Sequence, residues 1–293
     1  MNLTVTVLEI ITPIFLLASV GFVWVRLGFD FQISFVTRLA MSLSLPCLVF
    51  SSLMQSGLDP DILAKFTLSG VAAYGVTTLV FAALVWALKL NTQTYLAPLT
   101  FGNTGNLGLP LALFAFGETG LQYAIILFAI MAVWSFTFGI WVVAGRGSTK
   151  LVLREPLAWA SILGALFLWQ GWHTPPAVTN TLDLIGQMAI PLMLITLGVA
   201  VAQLTPAGLG RAAILAGVKL ILCVAIAWGI GCVFMLDHVA FGTLVLQLAT
   251  PVAVTSYLIA DKYGADTEAV AGLVLTSTFM AVAALPLLLA FLL

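Results

Sequence analysis

Gly102-Asn103-Thr104-Gly105-Asn106-Leu107-Gly108-Leu109-Pro110 interrupts a stretch that is otherwise apolar enough to cross a membrane. Its glycines and its proline work against a continuous helix, because glycine is conformationally permissive and proline removes a backbone donor. Irregular backbone at membrane depth presents N–H and C=O groups that lipid cannot pair. It survives only where protein or a wet cavity satisfies them, so such a break points to a binding site. A second break, at Thr250-Pro251, occupies the corresponding place in the other half of the chain. Matched breaks of this kind predict a secondary transporter.

Composition sets the environment. The chain is 62% hydrophobic and 7% charged, whereas a soluble domain carries about 25% charged residues, and its mean hydropathy is +1.18. It reads as an all-α polytopic membrane protein. With a net charge of −1 and no basic tract, nothing argues for a nucleic-acid partner. The lipid bilayer and a small solute are the expected partners. Cys47, Cys223 and Cys232 lie apart in apolar runs without a nearby histidine, so they read as small hydrophobes rather than metal or redox groups. The first apolar run carries Glu9 and continues to Arg26, which suits a spanning helix better than a cleaved leader.

Apolar runs of about 20 residues mark ten expected spans: 7–27, 33–56, 62–90, 94–116, 120–144, 156–172, 178–203, 211–236, 239–261 and 267–292. Their punctuation repeats. Leu45-Pro46 answers Ile190-Pro191, Asp59-Pro60 answers Thr205-Pro206, Asn103 falls over Thr250, and Gly117 over Gly264, all at offsets of 145 to 147 residues. The chain therefore divides into a first five-helix repeat, 1–148, and a second, 149–293, with a break in the fourth helix of each. Because five is odd, the halves insert with opposite orientation, an inverted 5+5 repeat. Arg26, Lys89, Arg146, Lys150, Arg154, Arg211 and Lys262 fall on loops of one face and only Lys65 on the other. The positive-inside rule makes the first face cytoplasmic and leaves both termini outside the plasma membrane, or bacterial inner membrane.

A half-helix that starts at membrane depth offers free N–H groups and the positive end of its dipole, a site for a carboxylate that needs no buried basic side chain. Asn103 and Asn106 add amides, Gly105 allows close approach, and Thr104, Thr250 and Thr255 add hydroxyls beside Pro251 and Val252. These eight residues are the candidate substrate-binding set for a small organic anion. Lys219 lies eight residues beyond Arg211, about 12 Å along a helix. It either snorkels to the interface, pairs with Asp261, or attracts the anion. Gln247, with Thr250 and Asn106, would ligate a cation if transport were coupled to Na+. The two histidines, His173 and His238, fall at outer loops, and the chain has no zinc-protease helix, nucleophile elbow or nucleotide-binding loop. The expectation is a carrier and not an enzyme, with no cofactor; coupling to Na+ or H+, and a passive anion channel, stay open.

The Gly102-to-Pro110 stretch followed by Phe116-Gly117, the Leu45-Pro46 and Ile190-Pro191 helices, and Pro251-Val252-Ala253 leading to Tyr263-Gly264 resemble the auxin efflux carrier family. That family includes plant PIN-type carriers and bacterial permeases proposed for malonate or malate. The resemblance covers essentially the whole chain. It implies a fold like that of bile-acid/sodium symporters and sodium/proton antiporters, with crossed broken helices 4 and 9. It further implies a scaffold of spans 1, 2, 6 and 7, through which a homodimer would form, and a mobile transport domain of spans 3–5 and 8–10 working by an elevator motion. In plant members the asparagines of the fourth-span break contact the substrate carboxylate, which maps onto Asn103 and Asn106. The chain lacks their long central cytoplasmic loop.

Overall fold

The computed structural model describes residues 3–57, 59–144, 156–204 and 208–293. The basic loop around Arg146, Lys150 and Arg154, and the Thr205-Pro206 pair, lie outside the described residues. Among those described, every regular element is helical. Seven helical runs, Val5–Arg26, Ile33–Met54, Asp61–Ala87, Thr104–Val143, Pro176–Gln203, Leu209–Val233 and Thr267–Leu292, are long and apolar enough to cross a bilayer; Trp159–Gln170 and His238–Leu248 are shorter apolar helices. The Thr104–Val143 run has 40 residues, about 60 Å at 1.5 Å per residue and twice the hydrocarbon thickness. Gly117 (φ 65°, ψ −157°) breaks it into two arms, at the boundary between the fourth and fifth expected spans.

In chain order the helices are α1 (Leu3–Arg26), α2 (Ile33–Leu39), α3 (Leu45–Met54), α4 (Pro60–Ala87), α5 (Thr92–Thr100), α6 (Leu109–Trp134) and α7 (Ile140–Ala144). They continue as α8 (Pro156–Gln170), α9 (Pro176–Gln187), α10 (Ala189–Gln203), α11 (Leu209–Val233), α12 (His238–Leu248), α13 (Val254–Tyr263) and α14 (Thr267–Leu292). Wide π-helical turns at Ala40–Ser44 and Thr104–Gly108 precede Pro46 and Pro110. A proline ring collides with the carbonyl four residues earlier in an α-helix, and a five-residue turn relieves that collision without ending the span. Carboxylates and amides start four helices: Asp59 accepts from Asp61 N, Asn91 from Thr94 N, Asp237 from Val239 N and Ala240 N, and Asp266 from Ala269 N. Each pairs N–H groups that the first turn of a helix leaves free.

Left-handed backbone recurs in matched places. Gly28 and Gly171 end α1 and α8, Lys89 and Met235 end α4 and α11, and Gly117 and Gly264 follow the two broken segments. Packing recurs in the same way: α1 lies along α10, and α8 lies along α3. At the first of these contacts, a side chain at Gly198 would run into the Ala18 carbonyl and one at Gly21 into that of Ile195. The backbones touch there, as small residues permit between helices in lipid. A second group forms around α11, which packs on α14, α12 and α4, while α12 packs on α6.

Candidate functional site

The two breaks meet. Gly102 and Val252 form an isolated antiparallel bridge, flanked by Asn103 N donating to Pro251 O at 2.7 Å and Ala253 N donating to Phe101 O at 3.4 Å. Any side chain at Gly102 would occupy the place of the Thr250 hydroxyl, so the approach requires glycine there. Each break therefore supplies hydrogen bonds that the other lacks, which is how irregular backbone is satisfied away from water.

The first break leaves donors over. Its helix restarts with Leu107 N and Gly108 N both donating to Asn103 O at 3.1 Å; the N–H groups of Thr104, Gly105 and Asn106 precede that bond and have no acceptor within the helix. Asn103 is 5% exposed, and its side-chain Nδ2 has no hydrogen-bond partner. After the second break the helix restarts with Ser256 N donating to Ala253 O, leaving Val254 N and Thr255 N in the same position. Both helix starts border one partly open cavity of about 70 Å³. Gly102, Asn103, Gly105, Asn106, Ala253, Val254 and Thr255 form one wall, and Ile33, Thr37, Ala40, Met41, Met193 and Thr196 of α2, its π-turn and α10 form the wall facing it. Phe128, Met131, Ala132 and Ser135 complete the lining, which among the described residues contains no charged side chain. Two positive helix ends, amide groups and hydroxyls in an otherwise apolar cavity suit a small anion with an apolar body.

Of the expected set, Asn103, Gly105, Asn106 and Thr255 line the cavity. Thr104, Thr250, Pro251 and Val252 do not; they are buried in the junction itself. Thr250 Oγ1 donates to Gln247 O at 2.6 Å, Val252 N donates to Ser277 Oγ at 3.0 Å, and Pro251 O takes the Asn103 bond. Thr104 is fully buried, and its hydroxyl has no partner. Lys219 is 2% exposed and its Nζ donates to Thr250 O at 2.9 Å, so it neither snorkels nor reaches Asp261, which is exposed in the last turn of α13. Gln247 lies behind the cavity beneath Gly108, with both atoms of its amide unpartnered. The facing wall and Ser277 were not anticipated. Their residues are ordinary for apolar helices, and only packing selects them.

The family of membrane transport proteins matches this chain over residues 6–152 and 148–289. The chain belongs to that family. It is the family of the auxin efflux carriers. An uncharacterized transporter of Methanothermobacter thermautotrophicus is 25% identical over 302 residues, covering 95% of this chain and 96% of its own. A proposed malonate transporter of Rhizobium meliloti is 26% identical over 268 residues, covering 82% and 81%. An uncharacterized transporter of Methanocaldococcus jannaschii is 24% identical over 192 residues, 61% of each chain. The protein is thus a polytopic membrane protein of a transporter family.

Proposed function

We propose that this protein is a secondary-active carrier of small organic anions, auxin-like acids or mono- and dicarboxylates, that binds its substrate at the first break and moves it by elevator-type alternating access. The observation that carries the reading is the partnerless, buried Asn103 amide beside free helix-start N–H groups, on an uncharged cavity. A carboxylate would take up those donors, and hydrogen bonds to a charged group are worth about 1.5–3 kcal/mol each. The malonate transport proposed for the Rhizobium relative supports a carboxylate as the substrate.

In this reading the chain makes ten crossings as two inverted five-helix repeats, 1–148 and 149–293, with helices 4 and 9 crossing at the junction. The matched left-handed turns and the matched α1–α10 and α8–α3 packing support that symmetry. Spans 1, 2, 6 and 7 act as scaffold and dimer surface, and spans 3–5 and 8–10 as the mobile unit. The cavity between them reaches Ile33, next to a loop on the basic face, which supports a conformation facing the cytoplasm with both termini outside. Cysteines placed at Lys89 should label from the cytoplasm and at Leu293 from outside; the reverse would overturn this orientation.

A second reading has one observation in its favour. The unpartnered Gln247 amide and the unpartnered Thr243 hydroxyl one turn away are both fully buried, an oxygen-bearing set that a coupling Na+ could use. The Lys219 ammonium at Thr250 opposes a second cation so close by, and replacing Na+ with choline during uptake separates the two readings. The main test is the melting temperature of purified protein titrated with malonate, acetate and indole-3-acetate. A true ligand at 100 times its Kd stabilises by about 2.7 kcal/mol. At least one carboxylate should raise the melting temperature saturably, and no response to any of them would contradict the proposal.

A further inference from the structure

Lys219 is the one fully buried charged side chain among the described residues. No carboxylate comes within ion-pair reach of it there; its partner is the Thr250 carbonyl at 2.9 Å. The neighbour one turn along α11 is Cys223, a buried free thiol. An ammonium removed from water without a counter-ion is strongly unfavourable. The carbonyl end of α12, where Thr250 lies, offers the negative end of a helix dipole, equivalent to about half a charge. Compensation of an ammonium by these groups alone is therefore incomplete.

That charge lies directly behind the anion cavity. Thr250 takes the Lys219 bond through its carbonyl and places its hydroxyl against Gly102, and Gly102 lines the cavity. Among the described residues no basic side chain lines the cavity itself. We propose that Lys219 is the fixed countercharge of the anion site: it acts through the junction without touching the substrate, and the bound carboxylate supplies the charge that the buried ammonium lacks. This inference rests on the carboxylate reading of the cavity. Its consequence is specific to transport. With the ammonium alone the buried junction of the mobile unit bears one positive charge, and with a monocarboxylate bound beside it the junction bears none, so the loaded unit is the one that crosses a low-dielectric environment readily. Exchange of one anion for another is then faster than net flux.

Lys219→Met and Lys219→Gln separate charge from hydrogen bonding, because glutamine keeps a donor for Thr250 O and methionine keeps neither. Binding of malonate, acetate and phenylacetate is measured calorimetrically on purified wild type, both variants and Asn103→Ala, alongside the ligand-free melting temperature. We expect both Lys219 variants to bind at least tenfold more weakly than wild type, with a ligand-free melting temperature no lower, since each removes an uncompensated buried charge. Wild-type affinity in Lys219→Gln would overturn the proposal and leave Lys219 a hydrogen-bonding clip. So would a fall in ligand-free melting temperature in both variants, or loss of cooperative melting in both. If Asn103→Ala loses binding while the Lys219 variants keep it, the anion site stands and the countercharge falls. If wild type binds none of the probes, the carboxylate reading fails and the countercharge with it.

Discussion

The two breaks, 147 residues apart at Asn103 and Thr250, both leave N–H groups free at a helix start, but they differ in how the kink residues themselves are partnered. At the second, the kink residues themselves are partnered: Thr250 Oγ1 donates to Gln247 O, Thr250 O accepts from Lys219 Nζ, Pro251 O accepts from Asn103 N, and Val252 N donates to Ser277 Oγ, while Val254 N and Thr255 N precede the first helical bond there. Proline there also removes a donor that would otherwise need satisfying. At the first, Asn103 Nδ2 is buried without a partner and three N–H groups precede the first helical bond. Buried unpaired donors are unfavourable, and the partnerless side-chain amide of Asn103, which has no counterpart among Thr250, Pro251 and Val252, is what makes the first break the proposed place for a ligand. In that reading the partnered kink frames the first break beside the cavity.

The harshest way to break this comparison is to separate the two. Gly102→Val puts a side chain where the Thr250 hydroxyl sits, and because backbone on both sides must shift, we expect no monodisperse folded protein in detergent size-exclusion chromatography. A monodisperse, stable variant would mean the breaks need not touch. Next comes motion. Thr37 and Thr255 line the cavity and come from the groups proposed as scaffold and mobile unit. A bifunctional cross-link between cysteines there, in a background without Cys47, Cys223 and Cys232, should stop transport. Linking Lys65 and Met235, whose Nζ and carbonyl are 3.0 Å apart within one group, should leave transport intact. Full transport through the first cross-link would favour a fixed pore.

The comparison is sharpened by paired substitutions with opposite signatures. Asn103→Ala or Asn106→Ala removes an amide proposed to bind the ligand, so carboxylate affinity should fall tenfold or more, corresponding to about 1.4 kcal/mol, with little change in ligand-free melting. Ser277→Ala instead strands Val252 N, so stability should fall by about 1–3 kcal/mol while affinity changes less than threefold. Calorimetry and thermal melts on the same preparations read both. Equal effects at the two breaks would erase the distinction drawn between them.

Both breaks were legible in the chain because glycine, proline and asparagine are costly in an apolar span and stand out there. The proposed repeat rests on the same kind of signal: Pro46 with Pro191 and Gly117 with Gly264 keep nearly one spacing. The opposite wall of the cavity was not. Met41, Met193 and Thr196 sit on helices that are apolar on every side, so no stripe distinguishes a face turned to lipid from one turned to a cavity. Lys219 was legible as an oddity but its partner was not, because the Thr250 carbonyl is main chain and leaves no mark in sequence. The same holds for Ser277, whose hydroxyl serves a backbone N–H 25 residues away. Thr104 and Thr250 shared the composition of the site, yet the structure turns them into the junction and away from the cavity.

The central claim is that the unsatisfied first break binds a carboxylate that is then carried across. Counterflow tests it most directly: proteoliposomes preloaded with unlabelled malonate, and in parallel with acetate or indole-3-acetate, are diluted into a trace of the same labelled acid. The account predicts saturable uptake of label that is stimulated by the internal anion and lost in Asn103→Ala reconstituted at equal density. Uptake that rises linearly with concentration, ignores the internal anion and survives Asn103→Ala would contradict it, and the protein would then be a passive conduit whose anion path lies elsewhere.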